Sequence, residues 1–359
     1  MWTRTLCALI VAWVAAGELR GQTVVRVTSG NDTLPNEQGQ VWREYDISPY
    51  TSRVTTTKRP EQAVIDWILR ETGYELWHSE PLGILSAGPR TLRVYHTPQV
   101  QAVVAGLVER FVASEAQTCA LGLRIVTIDS PGWRARAQRV LRPVPVQTPG
   151  ACAWLMPKEE AAVLLADLQR RSDFRELGSP HLLVNNGQAT LVSLVRGRAY
   201  VRDVVARPDA WPGFESRTGQ IDEGLSMELC PLMSVDRRTI DATIKCDIDE
   251  VERLLPVLLD VPAPNGSHQR AKIDVPQMSH FRFQERFRWP VDQVLLVGMG
   301  MVALPMPIDG KPPGGGAPLG LLSPSPRADL VVFVESKASV ADQTTMLRTV
   351  PGAAWRKRD

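Results

Sequence analysis

The clearest signal along the chain is a strict alternation of apolar and polar residues after residue 238. The segment "RRTIDATIKCDID" places Ile240, Ala242, Ile244 and Cys246 on one face and Asp241, Thr243, Lys245 and Asp247 on the other. A period of two is typical of a strand with one buried and one wet side. "GLSMELCPLMS" precedes it, and the turn at Asp236-Arg237 predicts that the two strands form a hairpin. "HFRFQERFRW", "DQVLLVGMGMVAL" and "ADLVVFVES" predict further strands.

Three other segments have helical spacing. "RPEQAVIDWILRETG" is predicted to begin at Pro60 and to end at Gly73. "PQVQAVVAGLVERFVASEA" carries an apolar residue every three to four positions. "PKEEAAVLLADLQRRSDF" has acidic residues at its start and arginines at its end, which suits the helix dipole. Its predicted core face is Ala162, Leu165 and Leu168, with neighbouring Val163 and Leu164.

The order of these elements predicts an α+β protein. "EYDIS", "YELWH" and "TLRVYH", with "GILSA" beside them, are read as strands around the first two helices, giving a β-α-β-β-α module over residues 44–116. A mainly β domain with one long helix follows over residues 117–337. It opens with "CALGLRIVTID", and "WRARAQRVL" and "ACAWLM" are read as further strands. A Pro/Gly loop at 305–326 interrupts it, and a tail covers 338–359.

The first residues predict export. In residues 1–21, Arg4 precedes an apolar run from Leu6 to Ala16, followed by small residues, as in a secretory signal peptide. A membrane anchor is the alternative, but the run is about half of the ~20 residues that span a bilayer. Residues 22–43 are polar and predict a linker or a frayed lead-in. The expected location is the periplasm or the outer membrane.

The remaining cysteines are Cys119, Cys152, Cys230 and Cys246. An even count in an oxidising compartment permits two disulfides, and a Cys119–Cys152 pair on adjacent strands is one hypothesis. The alternative is that all four are buried as small apolar side chains.

No constellation of residues points to catalysis. The five histidines lack metal-ligand spacing, and Ser179 and His181 are two residues apart in a strand without a nucleophile elbow. We therefore expect no enzyme, no cofactor and no metal site. The formal charge of +2 and the lack of a basic face favour no nucleic-acid partner.

The middle of the chain carries a resemblance to a known family. "LGSPHLLVNNGQATL" follows a helical run, and its Asn185-Asn186-Gly187 turn is interpreted as a hairpin turn. Together with the downstream hairpin, the strand "WPVDQVLLVGMGM" and "RADLVVFVESK", it resembles the bacterial secretins. The matching positions are Ser179, Pro180, Asn185, Asn186, Gly187, Gly224, Pro231, Gly298 and Gly300.

The resemblance implies a subunit of a homo-oligomeric ring or channel of the outer membrane, as in type II or type III secretion. Strands from each subunit would join one shared barrel, and other secretion or envelope components would be partners. The alternative is a soluble periplasmic scaffold or binding protein that keeps the fold without a pore. The separated glycines Gly298 and Gly300, the single module and the Pro/Gly loop favour that alternative.

Overall fold

A computed structural model describes residues 25–28, 34–113, 118–207, 211–262, 268–303 and 327–337. The predictions for the signal peptide, the Pro/Gly loop and the tail lie outside these residues. The structure confirms the α+β class and is mainly β, with three sheets. Among the described residues, no helix combines the length and apolarity that crossing a membrane requires.

The first sheet has the order β1-β2-β4-β3. Its elements are β1 (Val25–Thr28), β2 (Val41–Asp46), α1 (Ser48–Thr51), α2 (Glu61–Thr72), β3 (Ile84–Ala87), β4 (Thr91–His96) and α3 (Pro98–Val112). The expected order β-α-β-β-α is present, and α2 and α3 pack on each other and on the sheet. The polar lead-in was predicted to be frayed, but Val25–Thr28 pairs with β2 as an edge strand. We call residues 25–113 the N-terminal module.

One predicted strand of this module is wrong. "YELWH" forms a short 3-10 helix, Tyr74–Trp77, directly after Gly73 ends α2 with a positive φ of 85°. This turn buries Trp77, whose indole N–H donates to Thr72 Oγ1 at 2.7 Å. Burial of the indole overrides the strand propensity of the segment.

The second sheet has seven strands in the order β6-β7-β14-β15-β5-β8, with β9 also paired to β5. Its strands are β5 (Thr118–Ile128), β6 (Arg142–Val144), β7 (Cys152–Pro157), β8 (Phe174–Gly178), β9 (His181–Asn185), β14 (Gln293–Ala303) and β15 (Arg327–Ser336). Helices α4 (Trp133–Ala137) and α5 (Lys158–Gln169) cover one face. "WRARAQRVL", read as a strand, is therefore largely helical, because Trp133 is buried against that face.

The third sheet consists of four long antiparallel strands in sequence order. They are β10 (Thr190–Ala206), β11 (Phe214–Met233), β12 (Thr239–Pro262) and β13 (His268–Pro290). The predicted hairpin at Asp236-Arg237 is confirmed, with Met233 opposite Ile240. This sheet packs face to face on the seven-stranded sheet, and Met227, Ile244 and Phe283 meet Leu123 and Leu295 in the shared core. Because the seven-stranded sheet is covered on both faces, the sequences of β14 and β15 are nearly continuous apolar runs.

Two predicted faces need correction. The apolar face of β12 is buried as expected, but Asp241 and Thr243 on the second face are buried as well. The N-terminal module covers that end of the face, and sequence alternation contains no information about such a cover. In α5, Ala161 and Leu168 are buried, whereas Val163 is 63% exposed.

The four described cysteines are free thiols. Cys119 on β5 and Cys152 on β7 are separated by β14 and β15, so the hypothesis of a pair on adjacent strands is wrong. Cys230 and Cys246 lie on neighbouring strands but belong to different hydrophobic clusters. Burial raises the pKa of Cys119 and of Cys246 to about 12, which keeps both thiols protonated and unreactive.

Candidate assembly surfaces

The four-stranded sheet has two long unpaired edges. Strand β10 has 17 residues and β13 has 23, and each has one neighbour in the described ladder. The Val201 amide N–H points away from β11 and donates to Asp274 Oδ2 on β13 of the same chain at 3.2 Å, so the far parts of β10 and β13 lie against each other without forming a ladder. Because amide direction alternates along a strand, the odd-numbered residues from Leu191 to Ala199 also direct their N–H groups away from β11.

The other two sheets have short edges. In the seven-stranded sheet, the edge strand β6 has three residues and contains Pro143, and the opposite edge is divided between β8 and β9. The module sheet ends at β1 and β3, each of four residues. Short edges and proline prevent strand addition, whereas long edges invite it. Only the four-stranded sheet among the described sheets therefore presents long templates for a further strand.

The far end of the β12–β13 hairpin exposes aliphatic side chains. Leu255, Val257, Leu258, Leu259 and Val275 are 37–60% exposed. Exposed aliphatic residues grouped in this way mark a surface that another protein or a membrane covers.

The Asn185-Asn186-Gly187 turn is not a hairpin turn, which corrects the sequence interpretation. Strand β9 before the turn pairs with β5, and β10 after it pairs with β11, so the turn is a crossover between two sheets. The segment before β9 also differs from the prediction, because α5 ends at Gln169 and residues 174–178 form strand β8.

Asn186 connects three parts of the molecule at this crossover. Its side chain is buried, its amide donates to the Arg110 carbonyl oxygen on α3 at 2.9 Å, and its Oδ1 accepts the Met233 N–H at 2.6 Å. Cys119 Sγ on β5 lies 3.7 Å from the same oxygen. Asn186 thus joins the N-terminal module to both sheets of the β domain.

Gly187 is required at the crossover for two reasons. Its φ is 79°, and a Cβ atom would lie 2.1 Å from the Phe111 ring. Its N–H donates to the Pro231 carbonyl oxygen at 2.6 Å, and its own carbonyl oxygen accepts the Trp67 indole N–H at 3.3 Å. The backbone therefore passes directly beneath the module core.

A buried ion cluster fixes the same junction from the other side. Asp241 is 1% exposed and accepts two hydrogen bonds from Arg286, at 2.8 and 2.6 Å. Arg110 Nη1 on α3 lies 3.6 Å from Asp241 Oδ2 and Nη2 donates to the Leu232 carbonyl oxygen at 2.7 Å, while Arg286 also pairs with Glu71 on α2. Burial lowers the pKa of Arg110, and Asp241 partly offsets this effect.

Sequence reasoning missed this cluster. Its only local signal is a charged residue, Arg110, beside the buried Val108 and Phe111 of a helix that otherwise reads as amphipathic. Its partner Asp241 was assigned to a wet face, and no pattern in the sequence connects positions so far apart.

The remaining predicted motif residues serve separate local roles. Ser179 is exposed between β8 and β9, and the Pro180 carbonyl oxygen accepts the Leu123 N–H at 2.9 Å. Gly224 has a φ of 133°, and a Cβ there would lie 2.2 Å from the Leu194 carbonyl oxygen. Pro231 lies inside β11, beyond the end of the β10 ladder.

A bulge in β14 lies between Gly298 and Met301, and Gly300 inside it has a φ of 76°. A Cβ at Gly300 would lie 2.8 Å from the Gly150 carbonyl oxygen. In the described part of the chain, no three His, Cys, Asp or Glu side chains are grouped to hold a metal ion. The surfaces with the clearest geometry are thus the long sheet edges and the module junction.

Comparison with known proteins gives structural likenesses alone. No family model and no curated protein matches the chain. The Salmonella SPI-1 injectisome protein InvG aligns over 91% of this chain and 92% of its own, at 13% identity and a TM-score of 0.26. PilQ of the V. cholerae type IV competence pilus aligns over 72% and 70%, at 12% identity and a TM-score of 0.25. These neighbours are secretins.

A third secretin, XcpQ of the Pseudomonas aeruginosa type II secretion system, covers 79% of this chain and 74% of its own, at 12% identity and a TM-score of 0.21. At TM-scores this low, the likeness to secretins carries no argument about arrangement or function.

Proposed function

We propose that this protein is an exported, secretin-like subunit of a homo-oligomeric ring at the outer membrane that serves protein secretion. The observation that carries the proposal is the pair of long unpaired edges on the four-stranded sheet. Strands β10 and β13 run antiparallel, so β13 of one copy can pair with β10 of the next and continue the alternation. Within one chain their far parts touch at Val201 and Asp274, and the ladder between copies would replace this contact. Repetition of this head-to-tail contact closes a ring and removes every free edge.

In such a ring, the second layer of the wall would come from the seven-stranded sheet of each subunit. The four-stranded sheet packs on the seven-stranded sheet, whose short edges do not add strands. Each copy would therefore extend one continuous sheet while keeping its second sheet separate. The exposed aliphatic end of the β12–β13 hairpin supplies an apolar rim that fits contact with lipid or with neighbouring copies. Other envelope components would bind the assembled ring.

The test is the size of the full chain, purified in buffer and in mild detergent, by light scattering and negative-stain imaging. The expected result is a ring of many subunits that survives in detergent. A monomer under both conditions would contradict ring formation. It would favour a soluble periplasmic scaffold, for which the absence of apolar residues on the wet face around Lys245 and Asp247 is the supporting observation.

A further inference from the structure

The four-stranded sheet divides into two separate hairpins at one level. The ladder between β11 and β12 ends where Gly224 lies opposite Asp249. Beyond that pair, β11 continues only with β10, and β12 continues only with β13. A bulge between Val251 and Arg253 lies immediately past the division. Beyond this level the two hairpins contact each other without a ladder, since the Val201 N–H on β10 donates to Asp274 on β13 and Arg198 donates to the Val251 carbonyl oxygen on β12.

The next residue on each diverging strand is a buried glutamate. Glu223 on β11 is 1% exposed and Glu250 on β12 is 4% exposed. Arg196 on β10 donates to Glu223 Oε1 through Nε at 2.8 Å and lies within 2.6 Å through Nη2, and Arg198 Nη1 lies 3.5 Å from Oε2. The Val251 N–H, on the other hairpin, is 3.3 Å from Glu223 Oε2.

The carboxyl group of Glu250 has a less complete set of hydrogen-bond partners than that of Glu223. Its Oε2 is buried and has no hydrogen-bond partner in the described residues, whereas both carboxylate oxygens of Glu223 have a partner. Burial, reinforced by the Glu223 charge, raises the pKa of Glu250 to about 7, and Arg196 and Arg198 only partly oppose this. Desolvation and a neighbouring negative charge both favour the neutral form of the Glu250 carboxyl group.

The other charged groups at this level are on different sides of the strand. Asp249 precedes Glu250 on β12 and points to the opposite face, where it binds Arg282 and, at 2.7 Å, His280. Ser279 of β13 stands opposite Glu250. The groups that face Glu250 are therefore Glu223, Arg196 and Arg198.

We propose that Glu223 and Glu250 form a proton-binding site that holds the two hairpins together. With Glu250 protonated, the cluster carries one carboxylate, which both arginines and the Val251 amide satisfy. Loss of the proton places a second negative charge beside Glu223 while the buried Oε2 of Glu250 has no donor, and this weakens the contact between the hairpins at this level. The proposal depends on the fold of a single chain and not on ring formation.

The experiment is hydrogen exchange of the full chain, comparing wild type with Glu250→Gln at about pH 4.5 and at about pH 8. Comparison at equal pH removes the chemical dependence of exchange on pH. At the lower pH the two chains should exchange alike in peptides covering 194–201 and 249–256. At the higher pH these peptides should exchange more than about tenfold faster in wild type, because the pKa of Glu250 is about 7 in the closed state and returns toward 4.5 on opening, so deprotonation favours the open state.

The matched control is Glu215→Gln, an exposed carboxylate on the same strand as Glu223. It should follow wild type at both pH values. Equal exchange of wild type and Glu250→Gln at the higher pH would overturn the proposal. So would failure of Glu250→Gln to fold, because glutamine has the shape of the neutral carboxyl group. The midpoint of thermal unfolding, measured on the same samples, should be higher for Glu250→Gln than for wild type only at the higher pH.

Discussion

Asn186 and Gly187 show which features of a turn the local sequence predicts and which it does not. An Asn-Asn-Gly sequence predicts a tight turn with a positive φ, and Gly187 has one. The local signal does not identify the groups around the turn. Phe111 and Arg110 come from a helix far earlier in the chain, and they decide that this turn is a buried crossover and not a surface hairpin.

Replacement of Gly187 by Val should destabilise the protein by about 3 kcal/mol or more. A β-branched residue resists positive φ, and its Cβ would overlap the Phe111 ring, which adds strain from overpacking. Urea unfolding of the full chain measures the free energy of unfolding.

The matched control for Gly187 is Gly150→Val. Gly150 has a φ of 81° but open space around a Cβ. The Gly150→Val variant should lose only the part of the unfolding free energy that comes from the strained backbone conformation, about 1–2 kcal/mol. Equal losses at both positions would contradict the contact with Phe111.

At the scale of elements, hydrophobic periodicity identified the long helices and the β11–β12 hairpin. It failed where a neighbouring element changed the environment. "WRARAQRVL" became helical because Trp133 is buried, with its indole N–H donating to Asp329 Oδ2 at 2.8 Å. Asp241 was placed on a wet face because nothing near it in sequence predicts that α2 and α3 cover that face.

Replacement of Asp241 by Asn should loosen the N-terminal module from β12 and cost about 3 kcal/mol. The change leaves Arg110 buried without its counter-charge, and an uncompensated buried charge is strongly destabilising. Urea unfolding followed by tryptophan fluorescence reports the loss, since Arg286 stacks over Trp67 at 5.4 Å.

Glu228→Gln on the same sheet is the comparison for Asp241→Asn. Its exposed pair with Lys245, at 3.2 Å, should contribute less than about 1 kcal/mol. A small loss for both variants would mean that the ion cluster does not hold the junction.

For the whole molecule, the sequence predicted the α+β class and the succession of a module and a β domain. It did not predict that the β domain consists of two stacked sheets. That arrangement depends on the pairing of β5 with β15, and residues 129–326 separate these two strands in the sequence. The free edges of β10 and β13 follow from this arrangement and not from any motif.

Replacement of Ser193 by Pro should prevent ring formation while leaving the subunit folded. Ser193 lies on β10, its side chain is exposed, and its N–H points to the free edge by alternation from Val201. Proline there removes a donor that only a neighbouring copy would use. Light scattering in detergent should show small species for Ser193→Pro and rings for Ser193→Ala.

An unchanged ring in Ser193→Pro would contradict pairing through the β10 edge. Circular dichroism melting is the control, because the free energy of unfolding of the single subunit should change by less than about 1 kcal/mol.

The stacked sheets have a consequence for how the chain reaches its native state. The seven-stranded sheet is built from two stretches, residues 118–185 and 293–336, and the whole four-stranded sheet lies between them in sequence. In the seven-stranded sheet, the neighbouring strands β5 and β15 can pair only after nearly all of the chain has been synthesised. Contacts of such high sequence separation carry a large loop-closure entropy and slow folding. The apolar inner face of the four-stranded sheet therefore stays exposed to water until β14 and β15 have formed. Aggregation of the chain is most favoured during this interval.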